Sequence, residues 1–281
     1  MKQKHFFSGN IIFFGISSFL LPGSALATVS PVATYLFNNT LAAQEPSVVS
    51  LNQEDPLGTN GFMSDTVFGQ TRQVYQFNGN PTPETQQAGL SLDTNGLVTN
   101  NNYSVNMVFQ FTQNDGAWRR IIDVENRQSD NGFYVEPSNQ LNVYPITPGG
   151  EIFTNNNYHD VALVNSAGVV YAYMDGTLSF SAATNVMDIN NTGNLMNFFL
   201  DNTSGGGIGE YSSGRVALIS LYSGALTASD VANIAGNPFA PPVPEPEEYM
   251  MMLLGFGMVG YQIKRKQRKA APTAARAAKK G

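Results

Sequence analysis

The sequence predicts an all-β sandwich with one short helix, carried between two addressing segments. Three observations lead there. First, residues 28–240 break into strand-sized runs of β-branched and aromatic residues bounded by Asn, Gly and Pro. Second, Tyr103–Phe111 alternates with period two: Tyr103, Val105, Met107, Phe109 and Phe111 share a face, and Ser104, Asn106 and Gln110 lie opposite, with Val108 among them. That pattern predicts one buried and one largely wet face. Third, a single stretch carries paired helix start and stop signals: Thr227-Ala228-Ser229-Asp230 resembles a capping box, and Gly236 with Pro238 ends the segment.

Taken in order, residues 1–27 read as a secretory signal. Lys2 and Lys4 precede an apolar stretch from Ile11 to Leu21; Pro22-Gly23 breaks it, and Ala25 and Ala27 supply a small-x-small cleavage site. The competing reading is an uncleaved anchor, for which the run is short. The body, residues 28–236, opens with strands at Val32–Phe37 and Gln73–Asn78. After Tyr103–Phe111 come Trp118–Val124, Phe133–Glu136 and Leu141–Tyr144. Tyr158–Asn165, Val169–Met174 and Thr177–Phe180 form a meander. Its second turn, Asp175-Gly176, is the strongest hairpin signal in the chain, because both central residues of a type I′ turn need positive φ. Leu195–Leu200 and Arg215–Tyr222 complete the strands, and the last is apolar on both sides, as a central strand would be. Residues 237–248 form a spacer with five prolines by Pro246, which favours an extended, semi-rigid chain. Residues 249–263 are an apolar helix, and residues 264–281 a basic tail.

The charge is unevenly spread. Residues 28–240 hold 18 Asp and Glu against 5 Arg, a net of −13, and no lysine occurs between Lys4 and Lys264. Such a body repels phosphate backbones and excludes a nucleic-acid partner. It suits cations or neutral polar partners, or the acid serves solubility alone. With no cysteine, disulfides, thiolate metal sites and cysteine nucleophiles are excluded.

Candidate sites are few. A Ser-His-Asp triad would have to use His159, the one histidine outside the signal, and no nucleophile motif accompanies it. Asp123 and Glu125, expected on one face of a strand, are the nearest carboxylate pair for glycoside hydrolysis. Asp201 and Asn202, followed by Gly205-Gly206-Gly207 and Glu210, offer the hard oxygens calcium needs, and Asp130 and Asn131 could line the same rim. The alternative is an ordinary solvated Asp/Gly loop. Tyr211, flanked by Gly, Glu and Ser, is the expected exposed aromatic for a glycan ligand.

The order of pieces in the body resembles the laminin G-like, concanavalin A-type jelly-roll domains. Those pieces are Trp118–Asp123, Asn131–Val135, Tyr158–Ala162, the hairpin Tyr173-Met174-Asp175-Gly176, Phe198–Asp201 and Gly214–Thr227. The resemblance implies a jelly-roll sandwich, often with calcium at an edge loop. Glucanases of similar fold carry two Glu flanking an Asp on one strand; here position 121 is Ile, so that set is incomplete.

The tail, Val243-Pro244-Glu245-Pro246 followed by an apolar run and Lys264, Arg265, Lys266, Arg268 and Lys269, is similar to the PEP-CTERM sorting signal. The resemblance implies recognition and cleavage by an exosortase, after export through the Sec translocon and signal peptidase. It places the protein across the inner membrane of a Gram-negative bacterium, in the envelope or exopolysaccharide matrix. The tail's own physics agrees with a membrane segment: its 15 residues make about 22 Å of helix, against a hydrocarbon core of about 30 Å. It would need bilayer thinning or snorkelling of the basic flank, which stays cytoplasmic. A permanent anchor is the competing reading.

The expectation is therefore an exported, non-enzymatic sandwich binding glycan or extracellular matrix. A structural matrix component without a specific ligand, and a glycoside hydrolase, are the alternatives.

Overall fold

The structure, a computed structural model, describes residues 29–79, 86–205, 209–240, 258 and 261–263. Ala25, Ala27, the Val243-Pro244-Glu245-Pro246 motif and nearly all of the apolar tail lie outside them. Among the described residues, no helix is long and apolar enough to cross a membrane.

Among the described residues, fifteen strands build two stacked antiparallel sheets, accompanied by one short helix. The strands are β1 (Ala33–Tyr35), β2 (Asn52–Glu54), β3 (Gly61–Val67), β4 (Gln70–Phe77), β5 (Gly89–Asp93), β6 (Asn102–Phe111), β7 (Arg119–Asp123) and β8 (Gly132–Val135). They continue as β9 (Gln140–Tyr144), β10 (Thr147–Ile152), β11 (His159–Ser166), β12 (Val169–Met174), β13 (Thr177–Ala183), β14 (Leu195–Phe198) and β15 (Gly214–Tyr222), with helix α1 at Ala228–Gly236. One sheet has eight strands in the order β13-β12-β11-β6-β15-β4-β3, with β1 also paired to β15. The other has seven, β10-β9-β8-β7-β14-β5-β2. This is the all-β sandwich with one short helix that the sequence pattern implies.

The inward faces of both sheets meet in one core that includes Phe77, Phe109, Phe111, Phe133, Phe153 and Phe199. Phe77 and Phe199 stack with ring centroids 4.1 Å apart. Local chemistry sets the turns as expected. Asp175 and Gly176 both have positive φ, 51° and 81°, as a type I′ hairpin requires. Thr227 and Asp230 form the full capping box at the start of α1.

Two expectations are corrected here. The outer side chains of β6 are not wet: Ser104 and Asn106 are fully buried and Gln110 nearly so. Helix α1 and the strand-to-helix segment close over that face, joining Val231, Leu226 and Tyr222 to Ala162, Val164 and Tyr173. Ser104 donates to the Gly224 carbonyl and accepts from the Leu226 amide, both at 2.9 Å. Second, Glu125 lies beyond the end of β7, so Asp123 and Glu125 do not share a strand face. β2, β3, β5 and β10 were not anticipated; β2 is three exposed polar residues, and β10 carries Pro and two Gly, so neither shows a strand signature.

Candidate binding face on the seven-stranded sheet

Alternation on the seven-stranded sheet sends Phe133 and Val135 of β8, Leu141 and Val143 of β9, and Met196 and Phe198 of β14 into the core. Their neighbours Tyr134, Asn142, Tyr144 and Asn197 face the other way. On β7 the register with β8 shifts between Arg120 and Ile122. The extra residue lets Ile121 and Ile122 both enter the core while Arg120 and Asp123 share the outer face.

Arg120 is the centre of that face and is fully buried. Its guanidinium contacts Asp123 Oδ1 at 3.1 Å and Asp201 Oδ1 at 3.6 Å. It also donates to the Ser129 carbonyl at 3.0 Å, to Asn202 Oδ1 at 3.3 Å, and to the Tyr134 hydroxyl. Both oxygens of Asp123 are hydrogen-bonded, whereas Asp201 is bonded through Oδ2 alone, its buried Oδ1 having only the 3.6 Å ion-pair contact to Arg120. Asp123 Oδ2 accepts from the Arg127 amide at 2.9 Å and from Asn197 Nδ2 at 2.8 Å. Asp201 Oδ2 accepts from the amides of Gly209 and Glu210, both at 2.9 Å. Buried charge survives when it is paired and hydrogen-bonded, which holds fully for Asp123 and for one oxygen of Asp201.

The arginine in turn fixes an aromatic platform. Its guanidinium carbon lies 4.7 Å from the Tyr134 ring centroid, a cation–π distance. The Tyr134 hydroxyl donates to the Asp130 carbonyl at 2.8 Å. Trp118 then packs edge-on against both Tyr134 and Tyr144, each at 5.5 Å. Tyr134 is buried, Trp118 half-buried, and Tyr144 is 38% exposed. Beside Tyr134 in register stands Asn142, whose side-chain oxygen is buried and has no hydrogen-bond partner among the described residues. Glu210 borders the same face; burial, then the charges of Asp201 and Asp130, push its carboxyl up to about 7.

The four residues expected to ring a calcium ion do come together, but around an arginine. Asp201 and Asn202 touch the Arg120 side chain, the Arg120 amide donates to the Glu210 carbonyl at 2.8 Å, and Asp130 meets the network through Tyr134. Among the described residues no three His, Asp or Glu converge to hold a metal. The guanidinium supplies positive charge to Asp201, while Asp201 Oδ1 and Glu210 Oε2 are buried without a hydrogen-bond partner among the described residues. Tyr211 is also corrected: it is 5% exposed, and Asn114 Nδ2 donates to its carbonyl. On this face the exposed aromatic is Tyr144, with half-buried Trp118 beside it; the sequence pattern places both in strands without assigning them a face.

His159 is a clamp for its loop. Its Nδ1 lies 2.8 Å from Asp175 Oδ2, and its Nε2 lies 2.9 Å from the Thr154 hydroxyl. These are triad-like distances. However, Nε2 also accepts from the Thr154 amide at 3.2 Å, and the Thr154 hydroxyl accepts from Asn157 at 3.0 Å.

The concanavalin A-like lectin/glucanase family model matches residues 84–232, just over half of the 281-residue chain. The chain belongs to this superfamily. The matched stretch runs from just before β5 into α1 and contains Trp118, Arg120, Tyr134, Asn142, Tyr144 and Asp201. Among solved structures, domain 4 of AbnA, a GH43 extracellular arabinanase from Geobacillus stearothermophilus in complex with arabinotriose, is similar at a TM-score of 0.56. It is 20% identical, over 74% of this chain and 99% of that one. The binding domain of botulinum neurotoxin DC, in complex with rat synaptotagmin II, gives a TM-score of 0.52 at 12% identity, over 74% of this chain and 51% of that one. The binding domain of Paraclostridial Mosquitocidal Protein 1 gives 0.52 at 13% identity, over 74% and 52%. This lectin/glucanase-like chain thus spans about half the length of the toxin domains, and at these identities the likeness establishes the fold alone. Among curated protein sequences nothing matches.

Proposed function

We propose that this is a non-enzymatic carbohydrate-binding protein, exported and sorted to the envelope by its tail, with the outer face of the seven-stranded sheet as its ligand surface. The observation that carries the reading is the Trp118–Tyr134–Tyr144 cluster locked onto buried Arg120. Rigid aromatic faces with adjacent planar amides suit the apolar faces and hydroxyls of a sugar ring. The acidic body favours a neutral glycan over an anionic one. The arabinotriose bound to AbnA domain 4 supports a neutral oligosaccharide as the ligand class. Asp123 has both carboxylate oxygens engaged by hydrogen bonds, which supports binding without hydrolysis.

Trp118 is the single tryptophan of the chain, so intrinsic fluorescence of the detergent-solubilised full-length protein reads this face alone. Titration with arabinotriose, xylotriose and cellotriose is expected to give a saturable change with one of them. Tyr144→Ala is expected to weaken that binding about tenfold, the loss of one aromatic contact. No response to any sugar, together with no retention on arabinan, xylan or cellulose with or without calcium, would sink the lectin reading. For the sorting part, intact mass of the protein from its native envelope should lack the residues beyond the Val243–Pro246 motif. A mass that includes residues 264–281 would instead establish a permanent anchor.

A further inference from the structure

The opposite sheet carries a feature that folding does not account for. At the β3–β4 hairpin tip, Phe68 and Gly69 have φ of 48° and 78°. The first of these positions normally goes to Asn, Asp or Gly, because a Cβ with a bulky side chain is strained there. Phe68 nevertheless occupies it, is 49% exposed, and joins none of the three hydrophobic clusters. A strained, solvent-facing aromatic earns attention as a contact residue.

Phe68 stands where two clefts meet. One, of about 370 Å³, is lined by Asp65, Gln110, Asn156, Asn157, Tyr158 and Arg215 as well as Phe68. Its polar groups are held in place. Asp65 Oδ2 accepts from Gln110 at 3.1 Å, from the Tyr158 hydroxyl at 2.9 Å and from Arg215 at 2.8 Å. The Asp65–Arg215 pair is partly exposed, 22% and 30%, so it edges the cleft rather than lying beneath it. Asn156 and Asn157 are exposed and add amides that both donate and accept. The second cleft, of about 440 Å³, lies toward Arg72, Asp160, Asp175 and Phe239. Arg72 is stacked 3.7 Å over the Phe239 ring, and Asp175 is paired with His159.

We propose that this surface is a second glycan site, in which Phe68 is the stacking platform and Asn156, Asn157 and the Asp65–Arg215 pair, held from beneath by Gln110, bind hydroxyls of a neutral oligosaccharide. Opposite charges cancel within the first cleft, which gives an ionic ligand no advantage. In the second cleft the Asp175 carboxylate is likewise offset by the Arg72 guanidinium, with Asp160 buried behind them. Hydroxyls both donate and accept, as this mixture of amides, carboxylate and guanidinium requires. The site rests on the carbohydrate-binding reading and extends it: with ligand faces on both sheets, one molecule bridges two glycan strands.

The test moves the fluorescent reporter. Full-length protein carrying Trp118→Phe and Phe68→Trp reports only the hairpin cleft, and the native protein reports only the seven-stranded sheet. Both are titrated with arabinotriose, xylotriose and cellotriose. The hairpin reporter is expected to give a saturable emission change, weakened at least threefold by adding Asn157→Ala. A native response with a silent hairpin reporter overturns this site and leaves the first one standing. A hairpin response with a silent native protein supports this site and removes the first. Silence in both, in proteins whose unfolding midpoints match the native one, overturns both. A hairpin response unchanged by Asn157→Ala overturns the assigned cleft.

Discussion

Replacing Asp160 with Asn should make the protein more stable at pH 8 and leave it little changed at pH 4. Asp160 lies on β11 under the covered face of the eight-stranded sheet and is 2% exposed. Its Oδ2 accepts from Asn106 Nδ2 at 3.0 Å, but its Oδ1 and the Asn106 Oδ1 both lack partners. Burial, opposed by the Asn106 bond and reinforced by the charge of Asp175, pushes its carboxyl from the ordinary 3.8 up to about 7. The facing groups are Asp175 and Tyr222, and Arg72 lines the same cleft. Below about pH 4 the carboxyl is protonated whether the chain is folded or not, and no penalty arises. Between about 4 and 7 the folded protein holds a proton that the unfolded chain has released, so stability falls as pH rises. Above 7 the penalty is complete, on the order of 4 kcal/mol at most for about three pH units at 1.36 kcal/mol each. Asn carries no charge, and its amide can donate to the orphaned Asn106 oxygen. Urea unfolding of both proteins at intervals from pH 4 to 8 measures the difference. Glu210 titrates in the same range and direction, but it is present in both proteins and cancels. The variant curve should be flatter, with a gain of about 2–4 kcal/mol at pH 8. Parallel curves, or a variant less stable than native at pH 8, would refute the reasoning.

Two further substitutions test other parts of the frame. Arg120→Met leaves Asp123 and Asp201 buried without their cation and should cost about 3–5 kcal/mol in urea unfolding at pH 7. Thr227→Ala removes the hydroxyl that accepts from the Asp230 amide at 3.2 Å, and should cost about 1 kcal/mol by the same measurement.

Where short-range chemistry decides structure, the sequence was legible. Asp175-Gly176 can satisfy a two-residue hairpin, and Thr227 with Asp230 can cap a helix, without reference to the rest of the chain. Val169–Met174 matches β12 end to end, because turn residues stop it on both sides. Reading failed where a distant segment sets the environment. Ser104, Asn106 and Gln110 alternate with apolar neighbours as a wet face would, and only distant segments engage them: the strand-to-helix segment at Ser104, Asp160 at Asn106 and Asp65 at Gln110. Tyr211 sits among Gly, Glu and Ser, yet long-range packing encloses it. The loop at Asp201 was singled out for calcium, and the structure places the Arg120 guanidinium beside its carboxylate. The guanidinium that meets it was not foreseen, because it comes from a strand 81 positions earlier. A signal for that did exist: Arg119-Arg120 places two of the body's five arginines side by side, in a strand otherwise made of Ile-Ile-Asp.

Those two arginines also show how the fold separates support from recognition. Consecutive positions on a strand face opposite ways. Arg119 turns toward Phe111 and Phe153, at 5.6 and 5.8 Å, where Asn139 and Asn155 accept from it. Burial holds its guanidinium down at about 10, still charged at neutral pH. Arg120 turns outward beneath Tyr134. The first therefore ties β7 to the loops around Asn139 and Asn155, and the second ties β7 to the aromatic platform. A ligand face held by a network this deep cannot be loosened without loss of stability. Arg120→Met should then weaken glycan binding at Trp118 even under conditions where the protein remains folded, whereas Thr227→Ala, acting on the opposite sheet, should lower stability and leave that binding unchanged. Equal binding losses in the two variants would mean that the platform responds to global stability and not to the arginine beneath it.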